Sequence, residues 1–255
     1  GFYVGLSSNG TLIDAAMAAR IAAAGFDYVG LSLDGLEAIH DRFRRKAGAF
    51  AATLAGIRHC RAVGVKVGLR YTLTQDTAPD FPALLALLQQ EGCSKFYLSH
   101  LNYAGRGYRN RQRDAYFETT RQVLTQLFDH AWAEQQQGIY RDYVTGNNDA
   151  DAVLFLHWVA QRWPERVPKL RQRLQAWGGN SAGVNIANID NLGNVHPDTM
   201  WWEYTLGNVR QQPFSAIWRH HTDPLLLGLR THPRPLQGRC GHCPQRLICN
   251  GNSRI

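Results

Sequence analysis

Apolar and polar positions alternate along the first hundred residues in two different periods. The runs FYVGLSS, FDYVGLSLDG, VKVGLRYTLT and KFYLSHLNYAG are short and rich in β-branched and aromatic residues, and they predict strands. Between them, TLIDAAMAARIAAAG, GAFAATLAGIRHCRAVG and FPALLALLQQEG carry apolar residues at helical spacing. Gly25, Gly64 and Gly92 each fall between a helix and the next strand, where helix-ending glycines sit. The polar stretch between the second strand and the second long helix reads as a loop. Regular strand–helix alternation predicts an α/β fold with a parallel sheet and right-handed crossovers, open or rolled into a barrel. Residues from about 114 to 137 and from about 149 to 176 read as further helices. The first is patterned by Phe117, Val123, Leu124, Leu127 and Phe128. The second is patterned by Leu154, Phe155, Trp158, Val159 and Trp163, with Pro164 and Pro168 as punctuation.

From about residue 177 the pattern changes. VNIANIDNLGNVHPD predicts a hairpin turning near Asn191–Gly193. An aromatic patch follows (Trp201, Trp202, Tyr204), then a short helix around DPLLLGLR, then a cysteine cluster. The expected division is therefore 1–176, an α/β domain with following helices, and 177–255, a small metal-stabilised module.

Composition adjusts this picture in two ways. The 255 residues carry 28 Lys and Arg against 20 Asp and Glu, a net charge of +8, so an anionic partner fits: a nucleic acid, an acidic cofactor or a polycarboxylate. No apolar run approaches a membrane span and no signal peptide is evident. The opening GFYVGLSSNG reads as a strand already under way.

The five cysteines divide by context. Cys60 and Cys93 read as small buried residues. Cys240, Cys243 and Cys249 are spaced C-x2-C-x5-C, and three thiols that close suit one metal centre, either zinc or an iron–sulfur cluster. Thiols kept for metal rather than disulfides indicate a reducing compartment, so a cytoplasmic location is expected.

Polar residues also collect at the ends of the predicted strands: Ser7, Ser8 and Asn9; Ser32 and Asp34; Arg70 and Thr72; Ser99, His100 and Asn102. That edge of a parallel sheet or barrel is where ligands bind. Helix capping is the competing reading for some of them, Asn9 and Thr11 above all.

These residues also carry a resemblance. Ser32-Leu33-Asp34-Gly35, His40-Asp41, Arg44 and Gly48-Ala49-Phe50 stand at the spacing of the fourth-strand region of radical S-adenosylmethionine (SAM) enzymes that carry a C-terminal SPASM or twitch extension. SSNGTL is similar to the third-strand element of that family, and LRYTLT to the fifth, with Arg70 in place. LGNVRQQPFSAIW followed by the cysteine run is similar to its auxiliary-cluster tail. YLSHLNYAGRG, NSAGVNIANIDNLGNVHPDTMWW and RCGHCPQRLICNGNSR resemble the branch of the family that builds heme d1.

The resemblance implies a partial (β/α)6 TIM-like barrel followed by a small auxiliary iron–sulfur module. It implies SAM, a SAM-binding 4Fe–4S cluster whose C-x3-C-x2-C ligands would lie upstream of Gly1, and an auxiliary 4Fe–4S cluster on Cys240, Cys243 and Cys249. A fourth auxiliary cysteine would lie beyond Ile255, so the chain is expected to be a fragment truncated at both ends and inactive as it stands. Asn180-Ser181-Ala182-Gly183 and Val195-His196-Pro197-Asp198 stand where a full SPASM module has cysteines, so one auxiliary cluster is expected.

By the same resemblance, Ser8 and Ser32 would hydrogen-bond the ribose or methionine part of SAM. Arg70 would pair with its carboxylate, and Leu101 would contact adenine. Asn9 and Asp34 belong to the same cofactor-binding set, Asp34 ordering its loop through backbone bonds. The implied activity is removal of propionate side chains from didecarboxysiroheme. The implied partners are an anionic tetrapyrrole and a reductase, ferredoxin or flavodoxin as electron donor, with no nucleic acid and no membrane.

Alternatives remain at several points. His40 and Asp41 read as structural rather than metal-binding, with Asp41 capping the turn toward Phe43. Arg106, Arg109, Arg111 and Arg113 suit either substrate carboxylates or a solvated helix start. Trp201, Trp202 and Tyr204 suit either a flat macrocycle or a core. The alternative functions are a sister enzyme of alternative heme biosynthesis, a peptide-modifying SPASM protein, and a zinc-stapled basic module that binds nucleic acid.

Overall fold

Five parallel strands lie side by side in chain order: β1 (Gly5–Ser8), β2 (Tyr28–Ser32), β3 (Val67–Leu73), β4 (Lys95–His100) and β5 (Asp142–Gly146). The computed structural model describes residues 1–219 and 222–251. The crossovers are helical: α1 (Ala15–Ala23), α2 (Glu37–Arg44), α3 (Ala49–Ala62) and α4 (Phe81–Gln90). The sheet is an arc of a TIM-like barrel with helices on its outer side. Asp14 starts α1 by accepting the Met17 N–H at 2.7 Å, and Gly25, at φ 75°, lets the chain turn back into β2.

The stretch expected as a polar loop is helix α2. Its pattern is too polar to announce a core-facing helix, since only His40 is buried. Glu37 in the first turn and Arg42 and Arg44 in the last complement the helix dipole. Asp41 does not cap a turn toward Phe43. Its carboxylate accepts the N–H groups of Gly48 (2.6 Å) and Phe50 (2.8 Å), and so opens α3. Nor does pattern announce β5, because only a few residues separate helix α6 (Phe117–Gln136) from it. Tertiary pairing with β4 makes it a strand.

The outer face of the sheet holds the core. Tyr71, Phe81 and Phe96 are fully buried and pack with ring centroids 5.4–6.0 Å apart. Glu134 of α6 takes Arg141 in a two-pronged ion pair and the Tyr143 hydroxyl at 2.8 Å, which ties that helix to β5. Cys60 and Cys93 are buried in this unit, as expected.

Contacts divide the chain into two compact units, and the first comprises residues 1–101 and 110–146. The second comprises residues 102–109 and 147–255, so the expected division at 177 falls inside it. It contains α5 (Arg106–Arg109), α7 (Asp151–Arg162), α8 (Val167–Trp177) and a three-stranded sheet of β6 (Asn188–Ile189), β7 (Asn194–His196) and β8 (Gly207–Asn208). Short helices α9 (Phe214–Arg219), α10 (Pro224–Arg230), α11 (Gly238–Gly241) and α12 (Arg246–Cys249) follow. The β6–β7 hairpin turns where expected: Asp190 accepts the N–H groups of Leu192 and Asn194, both at 2.8 Å, and Gly193 adopts φ 89°. Val195, Leu206, Ile217 and Leu226 form the small core, with Tyr204 and Trp218 packed on it.

Candidate active site

Lateral register sorts the strand residues by face, since successive side chains alternate. Ser7 of β1, Gly30 of β2, Gly68 of β3 and Lys95 of β4 stand abreast. In the next layer Ser32, Arg70 and Tyr97 stand abreast, followed by Thr72 and Ser99. All of these share one face. Leu31, Leu69, Tyr71, Phe96 and Leu98 share the other, under the helices.

Ser32 and Arg70 therefore come together on the open face. Arg70 is half-buried, its guanidinium lies 4.4 Å over the Tyr97 ring, and it makes no ion pair among the described residues. A fixed guanidinium fork that lacks an anion is suited to a carboxylate.

Three glycines clear the floor. A methyl group on Gly30 would come within 2.8 Å of Arg70 Cδ and 3.0 Å of the Tyr28 hydroxyl, and one on Gly68 within 2.5 Å of that hydroxyl. A side chain at Gly146 would collide with Tyr97. Tyr28 and Tyr97 were not singled out from the sequence. Their signal is the period of two in Tyr28-x-Gly30-x-Ser32 and Lys95-x-Tyr97-x-Ser99.

The other predicted residues have different surroundings. Ser8 lies in register with Leu31, and its Oγ accepts the Gly10 N–H at 3.0 Å. Ser7, not Ser8, is in register with the open face. Asn9 accepts the Thr11 N–H through its side chain (3.2 Å), while its backbone carbonyl accepts the Thr53 hydroxyl (2.8 Å). Leu101 is buried just past β4.

Asp34 has no exposed surface. Its carboxylate accepts the Thr72 N–H at 3.0 Å and pairs with Arg44. The Asp34 N–H donates to His40 Nδ1 at 3.0 Å, so that nitrogen is unprotonated. The 3.8 Å approach of His40 to the Asp34 carboxylate is therefore not an ion pair. Burial, and then Arg44, holds the His40 pKa below its usual value against the pull of Asp34. This network locks the loop after Ser32 to the strand that carries Arg70.

In the second unit, Cys240 lies in α11, Cys249 ends α12 and Cys243 lies between them, its N–H donating to the Cys240 carbonyl at 3.2 Å. Among the described residues no three His, Cys, Asp or Glu stand in metal-ligand geometry. Burial pushes the Cys249 thiol up to about 11, and the charges of Asp149, Cys240 and Cys243 add to the rise. Three thiols are a soft donor set of the type that suits an iron–sulfur cluster. Asn180 and Asp198 are buried and engaged. Asn180 Oδ1 accepts from Arg234 (2.6 Å) and the Ala182 N–H (3.1 Å), and Asp198 accepts the Met200 N–H (2.9 Å). Asn252, Ser253 and Arg254, the end of the tail resemblance, lie outside the described residues.

The basic and aromatic stretches resolve in part. Arg113 pairs with Asp76. The Tyr204 hydroxyl donates to Asp223, whose carboxylate caps α10. Trp202 is exposed beside His196, with centroids 5.9 Å apart.

Residues 1–88 match the Radical SAM superfamily. Over 252 residues the chain is 51% identical to the pre-heme d1 synthase of Dinoroseobacter shibae, covering 98% of this chain and 62% of that protein. The chain is also 37% identical to the Fe-coproporphyrin III synthase of Methanosarcina barkeri, covering 98% of this chain and 63% of that protein. The chain thus spans about three fifths of the length of these relatives. Streptococcus suis SuiB bound to precursor peptide SuiA shares the fold, with a TM-score of 0.72 at 16% identity over 98% of this chain and 54% of SuiB. The segment that matches the Radical SAM superfamily includes Ser32 and Arg70. Among the described residues no helix is long and apolar enough to cross a membrane.

Proposed function

We propose that the whole protein is a radical SAM enzyme of heme d1 biosynthesis that removes propionate side chains from didecarboxysiroheme. The observation that carries the reading is Arg70, a half-buried cation with no ion pair among the described residues, beside Ser32 on the open face of a sheet within the segment that matches the radical SAM superfamily. The substrate class rests on the 51% identity to a pre-heme d1 synthase. Bound SAM and its four-iron cluster supply the radical chemistry.

The chain's own residues bind and orient. Arg70 takes the SAM carboxylate through its fork, and Ser32 hydrogen-bonds beside it. Leu101 supplies an apolar wall for adenine. Ser8, Asn9 and Asp34 act indirectly, by holding the turns that follow β1 and β2. Cys240, Cys243 and Cys249 hold the auxiliary cluster. The tetrapyrrole is a polyanion, which suits a chain of net charge +8. A cytoplasmic location and a ferredoxin, flavodoxin or reductase as electron donor complete the proposal.

The test is turnover by the whole protein, purified without oxygen and given reconstituted clusters, SAM and a reductant. Didecarboxysiroheme is expected to lose the mass of its propionates while SAM is consumed. About eight irons per chain, falling to about four in C240A/C243A, are expected of two four-iron clusters. Turnover of iron-coproporphyrin precursors instead would move the protein to the sister branch, and zinc without iron would end the radical reading.

A further inference from the structure

A cavity of about 170 Å³ opens in the second unit, at the end of α8. None of the residues assigned above to SAM or to the auxiliary cluster lines it. Trp177, Val184 and Leu229 give it apolar surface, and Asn185, Arg230 and His232 give it polar groups. Asn180 and Asn250 also line it. The Asn180 N–H donates to the Cys249 carbonyl at 3.2 Å, so the turn that carries the third thiol backs the cavity.

Two side chains at the rim are unused. Trp177 is 75% exposed, and its indole has no ring contact or hydrogen bond among the described residues. His232 is exposed and is also unpaired among the described residues. Its imidazole Cε1 lies 3.8 Å from the point that a methyl group on Gly178 would occupy, so the ring stands at the same helix end as Trp177.

The charge of the cavity has one sign. No acidic residue lines it. Arg230 donates to the carbonyls of Gly183 (2.9 Å) and Trp218 (2.7 Å) and has no ion pair among the described residues. Its fork is taken up by uncharged acceptors, so it contributes a charge to the wall rather than a ligand contact. That charge opposes the weakly negative carbonyl end of α8. A flat ligand face with an anionic edge suits these surroundings.

Size narrows the occupant further. Sites that enclose a whole small molecule measure about 300–1,000 Å³, so this cavity admits only one edge of a larger ligand. The centre of a macrocycle stays outside it, beyond reach of His232.

We propose that this cavity is the subsite for one carboxylate-bearing edge of the tetrapyrrole. The Trp177 indole covers the face of one pyrrole ring, and His232 donates a hydrogen bond to its carboxylate in the field of Arg230. The proposal rests on the reading of the whole protein as a tetrapyrrole enzyme, and it adds a place for the substrate in the second unit.

The test measures dissociation constants of the cluster-loaded whole protein for didecarboxysiroheme and for its methyl ester. Wild type is compared with Trp177→Ala, Trp177→Phe and His232→Leu. Both positions are exposed, so all three variants should melt at the wild-type temperature. Trp177→Ala is expected to weaken both ligands about tenfold, and Trp177→Phe to restore most of that loss. His232→Leu is expected to weaken the free acid about fivefold and leave the ester unchanged. Hydrogen exchange supplies a readout that needs no variant. The amides of Val184, Asn185 and Ile186, which all donate to the Ser181 carbonyl beside the cavity, should exchange more slowly when didecarboxysiroheme is bound.

Equal affinity of Trp177→Ala and wild type overturns the proposal, and so does unchanged exchange at those amides. Equal weakening of acid and ester in His232→Leu would mark a packing role and overturn it as well. Each of these results leaves the functional reading standing, because wild-type protein still binds the tetrapyrrole. Wild-type protein that binds neither ligand would remove that reading, and the subsite with it.

Discussion

The buried pair Asp34–Arg44 gives the sharpest mutational test of how the ligand edge is held. Asp34 is fully buried, whereas the Arg44 side chain is 29% exposed. That asymmetry predicts unequal costs for breaking the pair from either side. Arg44→Met leaves a buried carboxylate with only the Thr72 N–H, and stranding one member of a buried pair costs about 3–5 kcal/mol. Asp34→Asn strands only Arg44, which can turn toward water, while the amide oxygen still accepts from Thr72. It should cost about 1–2 kcal/mol. The double variant leaves no buried charge, so its cost should fall short of the sum by about 2 kcal/mol or more. Equilibrium urea unfolding of the whole protein measures all three, and hydrogen exchange at the Thr72 amide reports the local bond. Additive effects within about 0.5 kcal/mol, or Arg44→Met within about 1 kcal/mol of wild type, would refute the pairing argument.

His40 predicts a pH dependence. Its pKa in the folded protein lies below the unfolded value of 6.5, chiefly because of burial, so its contribution to stability is present above 6.5 and lost as pH falls through the folded value. Stability should fall as pH drops below about 6.5, and His40→Gln should flatten that slope; an unchanged slope would rule His40 out as its source. Gly68→Ala should destabilise by about 1–3 kcal/mol, read by thermal melting, because the new methyl would meet the Lys95 carbonyl at 2.8 Å as well as the Tyr28 hydroxyl. In cluster-free protein, iodoacetamide should label exposed Cys240 well before Cys249, whose thiol is raised to about 11, with Cys60 and Cys93 last; mass spectrometry of timed samples gives the order. Phe96→Ala should cost about 3–5 kcal/mol in urea unfolding, since the ring is fully buried between Tyr71 and Phe81.

Much of this protein is written locally in its sequence. β1 to β4 and α1, α3 and α4 follow from hydrophobic period and helix-ending glycines, because a sheet buried under helices needs those patterns wherever it occurs. The cysteine spacing is equally local, and so is the hairpin turn at Asp190–Gly193. Helix α2 and strand β5 were not legible. A short polar helix gains its stability from the Asp34, His40 and Arg44 contacts, and a short strand from pairing with β4, and both are tertiary gains. Placement within the candidate site followed the same rule. The sequence marked polar residues at strand ends, but which of them share a face depends on register, and one residue's shift reverses the face. Only the folded sheet sets Ser7 rather than Ser8 in the open-face register, encloses Asp34 and brings Tyr28 beside Arg70. These contacts join strands far apart in the chain, and their spacing is fixed by hydrogen-bond register rather than by any local preference.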